Sequence, residues 1–254
     1  MMIKDVSAIV SGGASGMGAA TAKALLAAGA KVAIFDINKD AAEKTARSIG
    51  AVAVHCDVTD AASTEAALQT AQKENGPARI CINCAGIIYG RRVVSKEGTM
   101  PLADFKRVID VNLIGSFNLL RLAAAAMIPL NPVGDSGERG IIINTASIAA
   151  YEGQIGQTAY SASKGGIVSL TLPAARELAS FGIRVMTIAP GLVSTPMLQS
   201  LPAEAQAALM SNVPFPKRLA LPEEYAQLAL HIINNPMLNG SVIRLDGALR
   251  LPPK

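Results

Sequence analysis

Short apolar runs alternate with helix-patterned stretches along this 254-residue chain, the rhythm of βαβ units that build a parallel sheet. Val6 to Val10 reads as a first strand, followed by a glycine-rich turn and an Ala/Leu-rich helix that stops at Gly29, a residue suited to a C-terminal cap. Lys31 to Asp36 is the second strand. Ala51 to Asp57 and Arg79 to Cys84 are the third and fourth, each preceded by a polar helix-forming stretch. A long helical pattern runs around Leu102 to Met127, and the Pro, Gly, Asp and Ser residues of Asn131 to Gly140 predict a surface loop. Gly140 to Asn144, Ile183 to Ala189 and Ser241 to Asp246 complete seven strands. Between them lie two further helical patterns. One is Ala159 to Ala179, where Pro173 predicts a break or kink costing ~3 kcal/mol. The other is Glu223 to Asn234, with Tyr225, Leu228, Ala229, Ile232 and Ile233 on one face.

The length fits a single domain over residues 1–254. Half the residues are hydrophobic and 17% are charged, enough apolar surface for a parallel sheet covered by helices on both faces. Trp is absent and aromatics are few, so the core falls to Ala, Val, Ile and Leu. The formal charge of +4 is spread along the chain, which argues against a nucleic-acid partner. The first strand starts a few residues after Met1 and no apolar run reaches the ~18 residues of a span. The expectation is a cytoplasmic protein with no membrane partner. Cys81 and Cys84 have C-x-x-C spacing, but residues three apart on a strand point to opposite faces. With no second Cys/His pair, no metal site is expected.

A glycine-rich turn between a first strand and a first helix can receive a pyrophosphate, because bare backbone N–H groups and the helix N-terminus approach the anion. Gly12, Gly16 and Gly18 fit that part. No Lys follows them, which excludes the phosphate loop of nucleotide hydrolases. Asp36, at the end of the second strand, can accept hydrogen bonds from the adenosine ribose hydroxyls and repel a 2′-phosphate. Ile37 follows it instead of an Arg, so the pair favours NAD over NADP. The other reading of Asp36 is a carboxylate capping a turn. Asp57, Val58 and the run Asn83, Cys84, Ala85, Gly86 lie at carboxyl ends of strands, where ligands bind in such sheets. The fold class is α/β, a single Rossmann-type doubly wound domain with a seven-stranded parallel sheet and helices on both faces.

Tyr160 and Lys164 stand four apart on a predicted helix and share a face. Reducing a ketone needs a proton donor for the developing alkoxide, and a nearby ammonium lowers the pKa of a phenol enough for the reverse step. Ser147, just after the fifth strand, can hydrogen-bond the substrate oxygen, and Asn112 can hold a water beside Lys164. A serine hydrolase would need a G-x-S-x-G elbow, which is missing, and a placed His, for which only His55 and His231 are available.

The set Gly12-x-x-x-Gly16-x-Gly18, Asn83 to Gly86, Asn112, Ser147, Tyr160-x-x-x-Lys164 and Pro190-Gly191 resembles the short-chain dehydrogenase/reductase family over essentially the whole chain. Ser11 stands where the family commonly has Thr, and Cys84 where it commonly has Asn. The resemblance implies hydride transfer between NAD and a carbonyl or alcohol carbon. It implies catalytic roles for Asn112, Ser147, Tyr160 and Lys164, substrate contacts for Ser147 and Tyr160, and cofactor contacts that add Ser15, Met17, Val193 and Thr195 to those above. A narrower likeness, to members acting on 3-hydroxyacyl-CoA, alcohols and some steroids, implies (3S)-3-hydroxyacyl-CoA as substrate. A hydroxysteroid or small-alcohol dehydrogenase, a 3-ketoacyl-carrier-protein reductase and a non-enzymatic NAD-stabilised scaffold are the alternatives. Residues Leu192 to Phe215 are expected to cover the substrate as a lid or to pack as an ordinary helix. Arg91, Arg92 and Lys96 are candidates for CoA phosphates, and the resemblance implies a homotetramer packed through the helices near Leu113 and Ile167.

Overall fold

The computed structural model describes residues 1–199, 204 and 210–253. Seven parallel strands form one sheet in the order β3-β2-β1-β4-β7-β8-β9. They are β1 (Ser7–Ser11), β2 (Lys31–Asp36), β3 (Val52–His55), β4 (Ala78–Asn83), β7 (Gly140–Thr145), β8 (Ile183–Pro190) and β9 (Val242–Leu245). A small antiparallel hairpin, β5 (Val94–Ser95) with β6 (Gly98–Thr99), stands apart. The sheet is buried on both faces, so its strands are continuously apolar rather than alternating, yet the pleat still sorts the side chains. Val10, Ile34, Ile82 and Ile143 join one core layer, with Ala22 and Leu25 of α1 (Gly16–Ala27) and Tyr225, Ala229 and Ile232 of α8 (Pro222–Asn234). Ile9, Phe35, Cys81 and Ile142 join the opposite layer, with Ala67 of α3 (Ala61–Asn75) and Leu119, Ala123 and Met127 of α5 (Gly115–Met127). Cys81 and Cys84 divide between those two layers and are free thiols, as opposite faces of a strand require. The α2 helix (Lys39–Ile49) completes the first layer with Ala42 and Ala46.

Several expectations need correction. Cys56 and Asp57 leave the β3 ladder, because Asp57 turns back to accept from the backbone N–H and hydroxyl of Thr59 at 2.9 and 2.7 Å. The helix α6 (Thr158–Ala179) runs through Pro173. Pro173 and Ser169, whose carbonyl it leaves unbonded, are both exposed, so water can satisfy the freed acceptor. In the loop before β7, Glu138 is 4% exposed, against the prediction of a surface loop throughout. Arg184 of β8 explains this. It donates to Glu138 Oε1 at 2.7 Å and to the carbonyls of Ile232, Ile233, Asn235 and Leu238 at the C-terminal end of α8, where helix carbonyls lack partners of their own.

The stretch Leu102–Met127 is long and apolar enough to pass for a membrane span, contrary to the reading that no run was, and half of its most apolar window is buried inside the fold. It is α4 (Leu102–Ile109), a π-turn (Asp110–Ile114) and α5 in succession. That π-turn carries Asn112 into the site.

Candidate active site

The glycine turn connects β1 to α1 beside the carboxyl ends of β2 and β4. A Cβ at Gly12, whose φ is +62°, would stand 2.7 Å from the backbone nitrogen of Ala85, and one at Gly18 would stand 2.2 Å from the carbonyl oxygen of Gly12. Only glycine permits these approaches. Gly16 faces Thr195, 3.3 Å from its methyl to an added Cβ, so the start of α1 and the loop following β8 border one cleft. Ser15 is the N-cap of α1 but makes no side-chain cap hydrogen bond, and the first turn holds no acidic residue. The exposed Ser15 and the partly buried Met17 flank an N-terminus whose backbone N–H groups suit an anion.

Asp36 closes the same cleft from β2. One carboxylate oxygen accepts from the Ala14 N–H at 3.1 Å and the other from the Asn38 N–H at 3.0 Å. The capping alternative is therefore realised in part, and Asp36 also braces the glycine turn. A carboxylate has about four acceptor positions, so both oxygens keep lone pairs for ribose hydroxyls. Asp57 lies partly exposed after β3, and Val58 is buried, its carbonyl bonded by Asn118 at 2.9 Å. Asn83 donates to Asn144 Oδ1 at 2.8 Å across the β4–β7 pair. Ala85 donates to Ser11 Oγ at 3.3 Å, and an added Cβ on Gly86 would meet Asn112 Oδ1 at 3.2 Å and Lys164 Nζ at 3.6 Å. The run Asn83–Gly86 is thus wedged between the glycine turn and the catalytic candidates. Pro190 ends β8, Gly191 packs an added-Cβ distance of 2.9 Å from Asp246, and Val193 is buried in an isolated bridge to Ala220. Residues 200–203 and 205–209 of the expected covering segment lie outside the described residues.

Ser147, Tyr160 and Lys164 converge where β7 meets α6. Ser147 caps the short turn Ile148–Ala150, its oxygen accepting from Ala149 N–H at 3.1 Å. That bond occupies a lone pair and leaves the hydroxyl proton free to aim outward. Lys164 is 4% exposed, donates to the carbonyl of Thr145 at 2.7 Å, and stands 5.9 Å from the centroid of the Tyr160 ring. Burial pulls its pKa down to about 8, with Cys84 pulling weakly the other way. Burial also pushes the Tyr160 phenol up, while a hydrogen bond from Ser147 draws it back. The Lys164 ammonium is bonded to the Thr145 carbonyl beside the Tyr160 ring, and Ser147 is a further group that favours the phenolate. Asn112 is fully buried in the π-turn. Its amide accepts from Ile87 N–H at 2.8 Å and donates to Ile87 O and Ser163 Oγ at 2.9 and 3.0 Å, so the side chain is a fastener between β4's outlet and α6, with Ser163 in turn donating to the Tyr160 carbonyl at 2.7 Å.

Among the described residues no cluster of His, Cys, Asp and Glu could hold a metal ion. Arg91 leans on Asp104 at 3.9 Å, whereas Arg92 and Lys96 stand exposed around the hairpin. Leu113 packs on the fully buried Ile167 inside the chain. The exposed apolar side chains of those helices are instead Ile114, Phe117 and Leu172.

A glycine cradle at the first helix, a carboxylate bracing it and a Ser/Tyr/Lys constellation, all at the carboxyl ends of the strands, define a nicotinamide-dependent oxidoreductase acting on CH–OH groups of small molecules. The chain belongs to the short-chain dehydrogenase family, whose profile matches residues 7–206. It is 51% identical to human 3-hydroxyacyl-CoA dehydrogenase type-2, over 99% of this chain and 97% of that one. It is 48% identical to the Drosophila melanogaster protein of that name, over 99% and 100%. The crystal structure of 3-hydroxyacyl-CoA dehydrogenase type-2 from Mycobacterium avium superposes with a TM-score of 0.94 at 44% identity, covering 98% of each chain.

Proposed function

We propose that this chain interconverts 3-hydroxyacyl-CoA of the S configuration and 3-ketoacyl-CoA with NAD as its cofactor. The convergence of Ser147, Tyr160 and Lys164 beside the glycine cradle carries the reading. The names of its relatives support the acyl-CoA substrate. The α1 N-terminus would hold the pyrophosphate and Asp36 the adenosine ribose, which favours NAD because a 2′-phosphate would face a carboxylate. Bound nicotinamide supplies or accepts the hydride. Ser147 donates to the substrate oxygen, and Tyr160 gives that oxygen a proton on reduction or takes one on oxidation. Lys164, when charged, favours the phenolate across the short distance between them. Asn112 holds the outlet of β4 against α6 so that these groups keep their spacing. Arg92 and Lys96 are the cations available to CoA phosphates, and the apolar Ile114, Phe117 and Leu172 support a homotetramer packed through α5 and α6.

The test is NADH oxidation by the purified protein on a panel of 3-ketoacyl-CoA chain lengths, branched analogues, steroid ketones and simple ketones. Short or branched 3-ketoacyl-CoA should give the highest kcat/KM. Higher values on steroid or simple ketones would overturn the substrate assignment and leave the chemistry standing.

A further inference from the structure

A buried polar cluster sits behind Lys164 and takes no part in the steps above. Thr145 is the last residue of β7, Cys84 follows β4, and Tyr225 lies in the first turns of α8, 0% exposed. The Thr145 hydroxyl donates to Cys84 Sγ at 3.6 Å, and Cys84 donates to the Tyr225 oxygen at 3.7 Å. Thr145 Oγ1 and Tyr225 Oη are 2.7 Å apart. Since the Thr145 proton points to sulfur, the short contact carries the tyrosine proton. The three groups close a ring in which each donates once and accepts once, so a fully buried phenol is satisfied without a charge. Burial pushes both the Cys84 thiol and the Tyr225 phenol upward, which keeps their protons on at neutral pH.

The same Thr145 offers its carbonyl to Lys164 Nζ at 2.7 Å. We propose that Tyr225 is a positioning residue for Lys164, acting through Thr145, with Cys84 closing the hydrogen-bonded ring that fixes the threonine. The proposal rests on the reading of Lys164 as part of the proton-transfer site. A charge-assisted bond in a dry site weakens steeply as its acceptor drifts, and Thr145 is the end of a strand, two residues before Ser147. The peptide that carries this carbonyl is pinned at its other end, where the Ala146 N–H donates to Ile188 O at 2.8 Å, and the Thr145 side chain is the handle by which a helix on the sheet's face adds to that hold. The titratable groups around Lys164 are few: Tyr160 on its own helix, Cys84 from the outlet of β4, and Tyr225 from α8 behind Thr145. Cys84 stands where the family commonly has Asn, and in this chain its small polarizable sulfur completes the ring. Neither Tyr225 nor Thr145 belongs to the motifs that mark the family in the sequence.

The experiment uses the full-length protein and compares Tyr225→Phe, Thr145→Val, their combination and Thr145→Ser. Two quantities are read: the pH profile of kcat, and the ionisation of Lys164 followed directly by NMR of carbon-13-labelled lysine, with Lys164→Arg assigning the signal. Opening the ring should lower kcat about fivefold to tenfold and move the Lys164 inflection down by roughly half a unit from about 8. KM for the cofactor should stay within about twofold. The double variant should be no worse than either single, because both break one ring, and Thr145→Ser should keep the parental inflection. An unmoved Lys164 inflection in a folded Tyr225→Phe protein, or additive losses in the double variant, would overturn the proposal. Should Tyr225→Phe fail to fold, Thr145→Val decides alone. Lys164→Ala separates the two levels. Retained turnover there defeats the reading of the site, whereas lost turnover with an unmoved inflection in Tyr225→Phe defeats only the positioning role.

Discussion

Lys164 is buried and Tyr160 partly buried, and the consequences of burial for a phenol and an ammonium are opposite. Burial raises the first and lowers the second to about 8, so as pH rises the first proton to leave this two-residue unit is that of Lys164, near that value. Oxidation of an alcohol needs the unit short of a proton, and reduction of a ketone needs it loaded. Oxidation should therefore rise, and reduction fall, across roughly pH 7–9, and initial rates measured in both directions would check it. Flat profiles in both directions would refute it. For stability the sign also follows: a lysine whose folded pKa is depressed costs stability while charged, and that cost is relieved as pH climbs from about 8 toward the unfolded value of ~10.4. Tyr160→Phe should lower turnover ~100-fold or more with NADH binding intact, as followed by the fluorescence of bound NADH. Asp36→Ala should raise the relative use of NADPH, because a charge opposing the 2′-phosphate is gone; an unchanged NADH/NADPH ratio of kcat/KM would contradict the ribose assignment. That variant also strips the Ala14 N–H of its acceptor, so some loss of cofactor affinity should accompany the switch.

At the scale of elements, the π-turn Asp110–Ile114 interrupts one long helix where Asn112 must face inward, a common use of such turns. Asn112→Ala leaves the partly buried N–H and carbonyl of Ile87 without their partner and takes from Ser163 Oγ the donor it accepts from. The expected cost is ~2–4 kcal/mol, read from denaturant unfolding, together with lost turnover. The sequence showed this helix plainly because its apolar spacing persists, but a π-turn changes the register by a single residue and leaves no mark in that spacing. The hairpin β5/β6 escaped notice for a different reason: two residues a side, half of them polar, carry no alternation to read. Tyr160, Lys164 and Ser147 were legible because their chemistry is tied to fixed spacing. Tyr225 was legible only as an apolar face residue, since the use of its hydroxyl depends on β4 and β7, which are remote in the chain.

At the scale of the molecule, the number and direction of the strands followed from continuous apolar runs, while the clamp that holds the far end of the sheet did not. Arg184 and Glu138 are 46 residues apart, and each alone reads as a surface charge. Arg184→Met should destabilise the fold by ~3–5 kcal/mol, because it leaves Glu138 buried without its guanidinium and uncaps the carbonyls closing α8. Thermal denaturation checks this, and a shift in Tm of under about two degrees would contradict it.

The strand order has a consequence in time. Residues up to Gly86 already contain β1 to β4, the glycine turn, Asp36 and Asp57, so a chain leaving the ribosome completes the half with the glycine turn first. The outer edge of β4, with the apolar Ile80 and Ile82, then waits for β7 to arrive and pair with it. At ~5–20 residues per second that wait lasts roughly 3 to 12 seconds, during which the nascent protein exposes an unpaired, adhesive strand. The β4–β7 seam on which the site is built is thus also an edge left open while the chain is being made.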